Sequence, residues 1–169
     1  MKVFGFAAWS GSGKTTVIEN VIPLLAMQGL RVSVIKHAHH AFDVDKPGKD
    51  SFRQRQAGAS EVLVSSGMRW ALMHELRGEP EPELPQLLMR LSPCDLVLVE
   101  GFKLQPIPKM EIHRQALGAA LLHPGDPNIV AVATDVKLET RLPQFGLQDY
   151  PAIVRFMLDH LDLPSPGLP

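Results

Sequence analysis

Short apolar runs alternate along the chain with segments whose apolar residues recur at helical spacing. Val17, Val21 and Leu25, for example, lie on one face of a helix. Residues 96–99 are apolar at every position, which is typical of a central strand buried on both faces. The alternation predicts an α/β protein with a mostly parallel central sheet and flanking helices. It places strands at residues 3–8, 31–36, 61–65, 70–75, 96–99, 109–113 and 128–134, and helices at residues 14–28, 49–57, 84–91 and 150–161.

Composition narrows the class of protein. At 169 residues we expect a single domain over residues 1–169, with a frayed tail at 164–169. The net charge of −1 provides no basic field for nucleic acid, and no apolar segment reaches the roughly 18 residues of a membrane span. Cys94 is the only cysteine, which excludes an intramolecular disulfide and suits a reducing compartment. We therefore expect a cytoplasmic protein without nucleic-acid or membrane partners.

The first predicted strand leads into a glycine-rich loop, A-W-S-G-S-G-K-T at residues 8–15, which is a Walker A motif with Ala8 in place of the usual first glycine. Gly11 and Gly13 let the backbone turn its N–H groups towards phosphate oxygens, and the following helix adds its positive N-terminal end. Lys14 supplies charge for the β- and γ-phosphates, and the hydroxyl of Thr15 is a ligand for Mg²⁺. The order of strand, loop and helix predicts a P-loop NTPase fold with three layers.

A second motif, L-V-L-V-E-G at residues 96–101, has the form of a Walker B strand that ends in an acid. Its strand end would place Glu100 beside the phosphate loop, where a carboxylate binds Mg²⁺ or orients an attacking group. Asp95 stands at the opposite end of the strand, and ligands of open parallel sheets bind at the carboxyl ends, so Glu100 is favoured. A solvated acid at a strand end is the alternative. Lys14 and Glu100 are the candidate catalytic residues.

The loop after the second strand, residues 37–51, is rich in polar groups and should face the phosphate site. Three histidines, His37, His39 and His40, raise a metal hypothesis, because imidazole binds Zn²⁺, Ni²⁺ and Cu²⁺. Its aspartates could assist Mg²⁺, and its lysines could meet phosphate or an anionic partner. The alternative is an active-site loop whose histidines form hydrogen bonds or contact a partner.

The strand at residues 128–134 ends in Thr134 and Asp135. A carboxylate at such a point can accept hydrogen bonds from N1–H and the exocyclic amine of guanine, a donor pair that adenine lacks. An aspartate in a turn is the alternative. The sequence has no Asn-Lys-X-Asp motif, so spacing alone leaves guanine specificity open.

Six strings of the chain together resemble the molybdopterin-guanine dinucleotide biosynthesis protein B (MobB) family. They are F-A-A-W-S-G-S-G-K-T-T at residues 6–16, I-K-H-A-H-H at 35–40, D-V-D-K-P-G-K-D-S at 43–51, R-W-A-L-M at 69–73, L-V-E-G-F-K at 98–103 and V-A-V-A-T-D-V at 130–136. The second and third strings are far more specific than a Walker A motif alone.

The resemblance implies a P-loop homodimer that binds GTP with Mg²⁺ and hydrolyses it slowly. It also implies an accessory role to the guanylyltransferase that joins GMP to molybdopterin, with molybdopterin itself as a further candidate ligand. Thr15 and Glu100 would bind Mg²⁺, and Thr134 and Asp135 would lie next to the guanine base of the nucleotide. By the same resemblance, the phosphates would be bound by Gly11, Ser12, Gly13, Lys14, Thr15 and Thr16.

Slow hydrolysis also agrees with the residues, because the sequence contains no obvious arginine finger and no glutamine placed to orient water. Two other classes of protein remain open, since a fold does not settle a function. One is an ATP-dependent small-molecule kinase or ligase of the dethiobiotin-synthetase type. The other is a GTP-driven metal chaperone, which only the histidine loop supports.

Overall fold

A computed structural model describes residues 1–38 and 42–164 of the chain. The chain divides into two compact units, Met1–His37 together with Leu84–Pro169, and Ala38–Glu83. The expectation of a single domain over residues 1–169 stays a prediction. His39, His40 and the predicted frayed tail beyond residue 164 lie outside the described residues.

The strands, in chain order, are β1 (Lys2–Ala8), β2 (Val32–Lys36), β3 (Glu61–Ser65), β4 (Trp70–His74), β5 (Leu96–Glu100), β6 (Lys109–His113), β7 (Ile129–Thr134) and β8 (Gln144–Gly146). The helices are α1 (Lys14–Met27), α2 (Asp50–Gln56), α3 (Leu84–Leu88) and α4 (Tyr150–His160). Every predicted strand and helix is present, whereas β8 was not predicted because so short a strand shows no alternation. None of the helices in the described ranges combines the length and apolar character needed to cross a membrane.

Six strands of the larger unit form one sheet in the order β2-β5-β1-β6-β7-β8, and every neighbouring pair is parallel. β1 therefore lies inside the sheet, with β5 on one side and β6 on the other. All carboxyl ends meet at one edge, where open parallel sheets bind their ligands. The predicted α/β class with a parallel central sheet and flanking helices is confirmed.

Helices cover both faces of this sheet. Val21 and Leu25 of α1 pack with Met157 of α4 in the main hydrophobic core, and all three are fully buried. On the other face, Leu84 of α3 packs with Val99 of β5. β5 is buried on both faces, as its continuous apolar run predicts.

β6 is buried at every position although its sequence alternates between polar and apolar residues. Its apolar residues join the main core, so its polar side chains point to the opposite face. There Glu111 accepts hydrogen bonds from the backbone N–H groups of Leu122 and His123. The Lys109 ammonium forms a 2.6 Å ion pair with Asp126. Polar partners from later in the chain thus replace water on this face.

The ends of two helices show how local sequence fixes them. Gly29 follows α1 with a φ of +79°, and its N–H donates to the carbonyl of Ala26, as expected for a glycine that ends a helix. Asp149 precedes α4, and its Oδ1 accepts from the N–H of Ala152 at 3.3 Å. Asp149 is therefore the N-cap of α4.

The smaller unit contains α2 and the antiparallel hairpin β3–β4. Arg55 of α2 donates to Glu75 at 2.8 Å and forms a 2.6 Å ion pair with Asp43. Hydrogen bonds to Glu75 and Asp43 raise the pKa of Arg55. On the hairpin, Leu63 and Trp70 leave more than half of their surface exposed, at 61% and 63%. Within this unit Asp43 thus stabilises local structure, and the hypothesis that it assists Mg²⁺ stays a prediction.

Candidate functional site

The loop between β1 and α1 has the backbone geometry that phosphate binding requires. Gly11 and Gly13 have positive φ angles of +80° and +90°, and Gly13 is the N-cap of α1. The Ser12 hydroxyl donates to the carbonyl of Trp9 at 2.8 Å, which closes the turn. This conformation turns the loop back on itself at the positive N-terminal end of a 14-residue helix. The predicted phosphate-binding residues 11–16 are contiguous at this point.

Glu100 lies at the carboxyl end of β5, next to this loop. The hydroxyl of Thr15 donates to Oε1 of Glu100 at 3.1 Å, and Nζ of Lys14 lies 3.7 Å from the same oxygen. The structure therefore brings together the three residues proposed for catalysis and Mg²⁺. Asp95, at the other end of β5, accepts instead from the N–H of Arg31.

Lys36 is a member of this cluster that the sequence interpretation missed. Its Nζ lies 3.7 Å from Oε2 of Glu100, because β2 and β5 are parallel neighbours and both residues end their strands. Burial lowers the pKa of Lys14; the Glu100 charge opposes this, and the charges of Lys103 and Lys36 lower it further. Lysines thus outnumber carboxylates here, which favours a polyanionic ligand. The sequence signal was the position of Lys36 as the last residue of a predicted strand.

Lys103 lies close to the same loop. Its ammonium is 4.6 Å from the centre of the Trp9 ring, a cation–π contact. The Trp9 indole N–H donates to the carbonyl of Ala120 at 2.7 Å. Trp9 thus connects the phosphate loop with two other loops at the carboxyl edge of the sheet.

Gly101, directly after Glu100, is held close to His37. It has a φ of +96°, and a Cβ placed on it would lie 2.7 Å from Cβ of His37. The His37 ring packs against Phe102 with ring centres 4.7 Å apart, and the backbone N–H of His37 donates to the carbonyl of Glu100. Within residues 1–38 and 42–164, no group of three or more His, Cys, Asp or Glu side chains is arranged to hold a metal. The other two residues of the histidine hypothesis, His39 and His40, lie outside the described residues.

A pocket of about 460 Å³ opens on the other side of the phosphate loop. This volume is in the usual range for a small-molecule ligand. Thr134 and Asp135 line it, as their position after β7 predicts. Oδ1 of Asp135 accepts from the N–H of Gln115 at 2.8 Å. The full set of lining residues is Ser12, Gly13, Thr16, Val17, Arg114, Thr134, Asp135, Gly146, Leu147, Gln148, Asp149 and Tyr150.

Arg114 is the second site residue that the sequence interpretation missed. It comes directly after β6, and a Cβ placed on Gly13 would lie 3.3 Å from its Nη2 atom. As with Lys36 and β2, the carboxyl end of β6 thus places a positively charged side chain, Arg114, next to the phosphate loop. Its position after a predicted strand was a signal, but the strand order needed to interpret it is absent from the sequence.

Comparison with known proteins identifies the family. The family model described as "Molybdopterin guanine dinucleotide synthesis protein B" (MobB) matches residues 3–135. A molybdopterin-guanine dinucleotide biosynthesis adapter protein of Escherichia coli K12 is 43% identical over 162 residues, 93% of this chain and 91% of that protein. Its namesake from Haemophilus influenzae is 44% identical over 158 residues, 92% of this chain and 86% of that protein.

Solved structures agree with these sequence matches. The crystal structure of Bacillus subtilis MobB matches with a TM-score of 0.75 and 29% identity, covering 95% of this chain and 98% of that one. A crystal structure of molybdopterin-guanine biosynthesis protein B matches with a TM-score of 0.73 and 26% identity, covering 94% and 99%. The resemblance drawn from the sequence motifs is confirmed, and the chain belongs to the MobB family.

Proposed function

We propose that this chain is a GTP-binding adapter protein of molybdopterin guanine dinucleotide biosynthesis that assists the guanylyltransferase and hydrolyses GTP slowly with Mg²⁺. The observation that carries the proposal is the cluster of Lys14, Thr15 and Glu100 at the carboxyl edge of the parallel sheet. Membership of a family whose relatives are named adapter proteins supports the pathway.

The cluster has the chemistry that a Mg²⁺–triphosphate requires. Mg²⁺ in nucleotide sites is bound by one or two oxygen side chains, with phosphate oxygens and water completing its shell. Thr15 and Glu100 offer such oxygens, and the bound ion would neutralise phosphate charge. Lys14 and Lys36 both lie within 3.7 Å of Glu100, so a bound phosphate chain would draw them from the carboxylate. Among the described residues, the charged partners of Glu100 are lysines. The absence of an arginine among these described partners supports slow hydrolysis unless a partner protein supplies one.

The pocket beside the phosphate loop supports guanine as the base. Asp135 lines it, and only one of its carboxylate oxygens, Oδ1, accepts the hydrogen bond from Gln115. Guanine offers two adjacent N–H donors to a carboxylate, whereas adenine does not. Thr134 adds a hydroxyl whose oxygen accepts from the N–H of Val136 at 3.3 Å.

The hairpin of the smaller unit supports a protein partner. An isolated two-stranded hairpin is marginally stable in water, and exposed apolar patches mark interaction surfaces. Met68, Leu63 and Trp70 expose 90%, 61% and 63% of their surfaces. We infer that these residues are covered in a homodimer or by the guanylyltransferase, in the cytoplasm where GTP is available. Whether molybdopterin joins that assembly is part of the same proposal.

Thermal unfolding with GTP, GDP or ATP, each with and without Mg²⁺, tests the proposal. At a ligand concentration of 100 times Kd, binding adds about 2.7 kcal/mol. That corresponds to a rise in Tm of about 5–10 °C for a chain of this size. We expect the rise to be larger for guanine nucleotides, and the GTP response to depend on Mg²⁺. An equal or larger rise with ATP would instead support a kinase or ligase.

Two variants connect the response to the site. Lys14→Ala should abolish the rise in Tm while leaving the protein folded, and Glu100→Gln should remove mainly its Mg²⁺-dependent part. Lys2→Ala is the matched control, because Lys2 is exposed at the other end of β1. Wild-type-like nucleotide affinity in the Lys14 variant would contradict the site assignment, and an unchanged Mg²⁺ titration in the Glu100 variant would remove that residue as a ligand.

A further inference from the structure

We propose that Arg114 is a phosphate-binding residue that contacts the α- and β-phosphates of the nucleotide from the pocket side of the loop. This inference rests on the proposed function, because it needs a nucleotide at the phosphate loop. It adds an arginine to a site to which the described residues bring the lysines Lys14, Lys36 and Lys103.

The sheet places Arg114 at the loop. β6 is the parallel neighbour of β1, and Ala8 pairs with Ile112 in the register. The chain beyond Ala8 becomes the phosphate loop, and two residues beyond Ile112 is Arg114. A Cβ on Gly13 would lie only 3.3 Å from Nη2 of Arg114. The guanidinium therefore lies against the loop backbone at the residue that caps α1.

The guanidinium is available to a ligand. Arg114 is half-buried in the pocket wall, and no carboxylate within residues 1–38 and 42–164 forms a salt bridge with it. An arginine stays protonated and presents five N–H donors in a planar arrangement that matches phosphate oxygens. A cation in a pocket wall without a counter-ion favours an anionic ligand there.

Asp135 holds the segment that carries Arg114. Its Oδ1 accepts from the N–H of Gln115, the next residue, at 2.8 Å. β6 and β7 are parallel neighbours, with His113 paired to Thr134, so this hydrogen bond connects two adjacent strand ends. Asp135 is thus a positioning residue for Arg114. The other carboxylate oxygen of Asp135 is the one that would make the proposed contact to guanine.

The location within the site identifies which phosphates Arg114 contacts. In loops of this kind the backbone N–H groups bind the α- and β-phosphates, and the lysine reaches the β- and γ-phosphates. Arg114 lies at Gly13 in the pocket wall, whereas Lys14 and Lys36 meet at Glu100. Arg114 therefore serves diphosphate and triphosphate alike, unlike an arginine finger, which acts on the γ-phosphate.

Titration calorimetry with GDP and with GTP, each with Mg²⁺, tests this assignment. Arg114→Ala should weaken binding of both nucleotides by a similar factor of about 10–100, the usual effect of losing a charge-assisted hydrogen bond. Arg114→Lys should recover part of that loss, because it restores charge without the planar donors. Arg90→Ala, an exposed arginine after α3, is the control and should bind as the wild type does. Each variant's Tm without nucleotide reports whether it folds.

Two results would overturn the assignment. Unchanged GDP and GTP affinity in Arg114→Ala would show that the guanidinium does not bind phosphate. Unchanged GDP affinity with weaker GTP binding or slower hydrolysis would place it at the γ-phosphate. Failure of the proposed function looks different: the wild type itself would then bind neither nucleotide, and Lys14→Ala would change nothing.

The positioning role of Asp135 has its own measurement. Because Asp135 is also the proposed contact to guanine, the probe here is pyrophosphate, which carries no base. If Asp135 acts on phosphate binding only through Arg114, Arg114→Ala combined with Asp135→Ala should bind pyrophosphate no more weakly than Arg114→Ala alone. Asp135→Asn, which keeps an oxygen acceptor for Gln115, should retain the Arg114 contribution. Fully additive losses in the double variant would overturn the positioning role, because a shared contact makes the losses overlap.

Discussion

Replacing Lys109 with methionine tests whether the buried face of β6 depends on its ion pair. The Lys109 side chain is fully buried, and its ammonium forms a 2.6 Å ion pair with Asp126. It also donates to the carbonyls of Lys103 and Gln105 at 2.7 and 2.9 Å. Methionine has a similar length but no charge, so Lys109→Met removes all three interactions and leaves their acceptors without this donor.

Removal of one partner from a buried ion pair costs about 3–5 kcal/mol, because the remaining charge stays desolvated. Asp126 keeps 22% of its side-chain surface exposed, which favours the lower half of that range. For a chain of this size each kcal/mol of lost stability lowers Tm by about 2–4 °C, so we expect the Tm of Lys109→Met to be about 10 °C below that of the wild type. Circular dichroism during thermal unfolding measures the shift.

The same variant should change how stability depends on pH. Burial raises the pKa of Asp126, but hydrogen bonds from Lys109 and Asn128 outweigh it and leave that pKa below its ordinary value. A carboxylate with a lowered pKa stabilises the fold above its unfolded pKa of about 3.9, and loses that contribution as the pH falls through the folded value. Lys109→Met should therefore destabilise the protein least below the folded pKa of Asp126 and most near neutral pH.

The exposed Lys2 provides the control, and Lys2→Met should change stability by less than about 0.5 kcal/mol. Asp126→Asn should cost less than Lys109→Met, since it leaves the lysine its two carbonyl acceptors. A loss below about 1 kcal/mol in Lys109→Met, indistinguishable from the control, would refute the argument, because water or neighbouring groups would then satisfy the buried acceptors.

Two further substitutions test backbone and helix geometry. Gly101→Ala should cost more than Gly118→Ala: both glycines have positive φ, but only the first Cβ meets a neighbour, Cβ of His37 at 2.7 Å. Equal losses in Tm would remove the steric argument. Asp149→Ala should cost about 1 kcal/mol by removing the hydrogen bond to the N–H of Ala152, and Asp149→Ser should recover most of it. Failure of the serine to recover stability would point to a different role for Asp149.

Local patterns were sufficient to predict most of the sheet and its helices. The run at residues 96–99 predicted a strand buried on both faces, and β5 is buried at all five positions. The glycine-rich loop predicted the start of α1, and the helix predicted to end at residue 28 is followed by Gly29, whose φ is positive. In each case the physical cause lies within a few residues, either in the pattern of apolar side chains or in the positive φ of a glycine.

The environment of β6 could not be predicted in this way. Alternation between polar and apolar residues indicates a strand, but it does not say whether the polar face meets water. Lys109 is buried because Asp126 and two carbonyls replace its water shell, and Glu111 is buried because two backbone N–H groups replace its own. These partners are as far as 17 residues away from Lys109 in the sequence, and no local pattern marks them.

Strand order decides how charge is distributed over the candidate site. Each parallel strand delivers the residue at its carboxyl end to one edge, so the sequence can name those residues but cannot say which of them become neighbours. The order β2-β5-β1-β6 places Lys36 beside Glu100 on one side of the phosphate loop and Arg114 beside Gly13 on the other. If the proposed nucleotide binds between them, loss of Lys36 should affect GTP more than GDP, whereas loss of Arg114 should affect both equally. That contrast depends on the order of the strands. A protein with the same two residues but with β5 and β6 in each other's places in the sheet would not show this difference between the two variants.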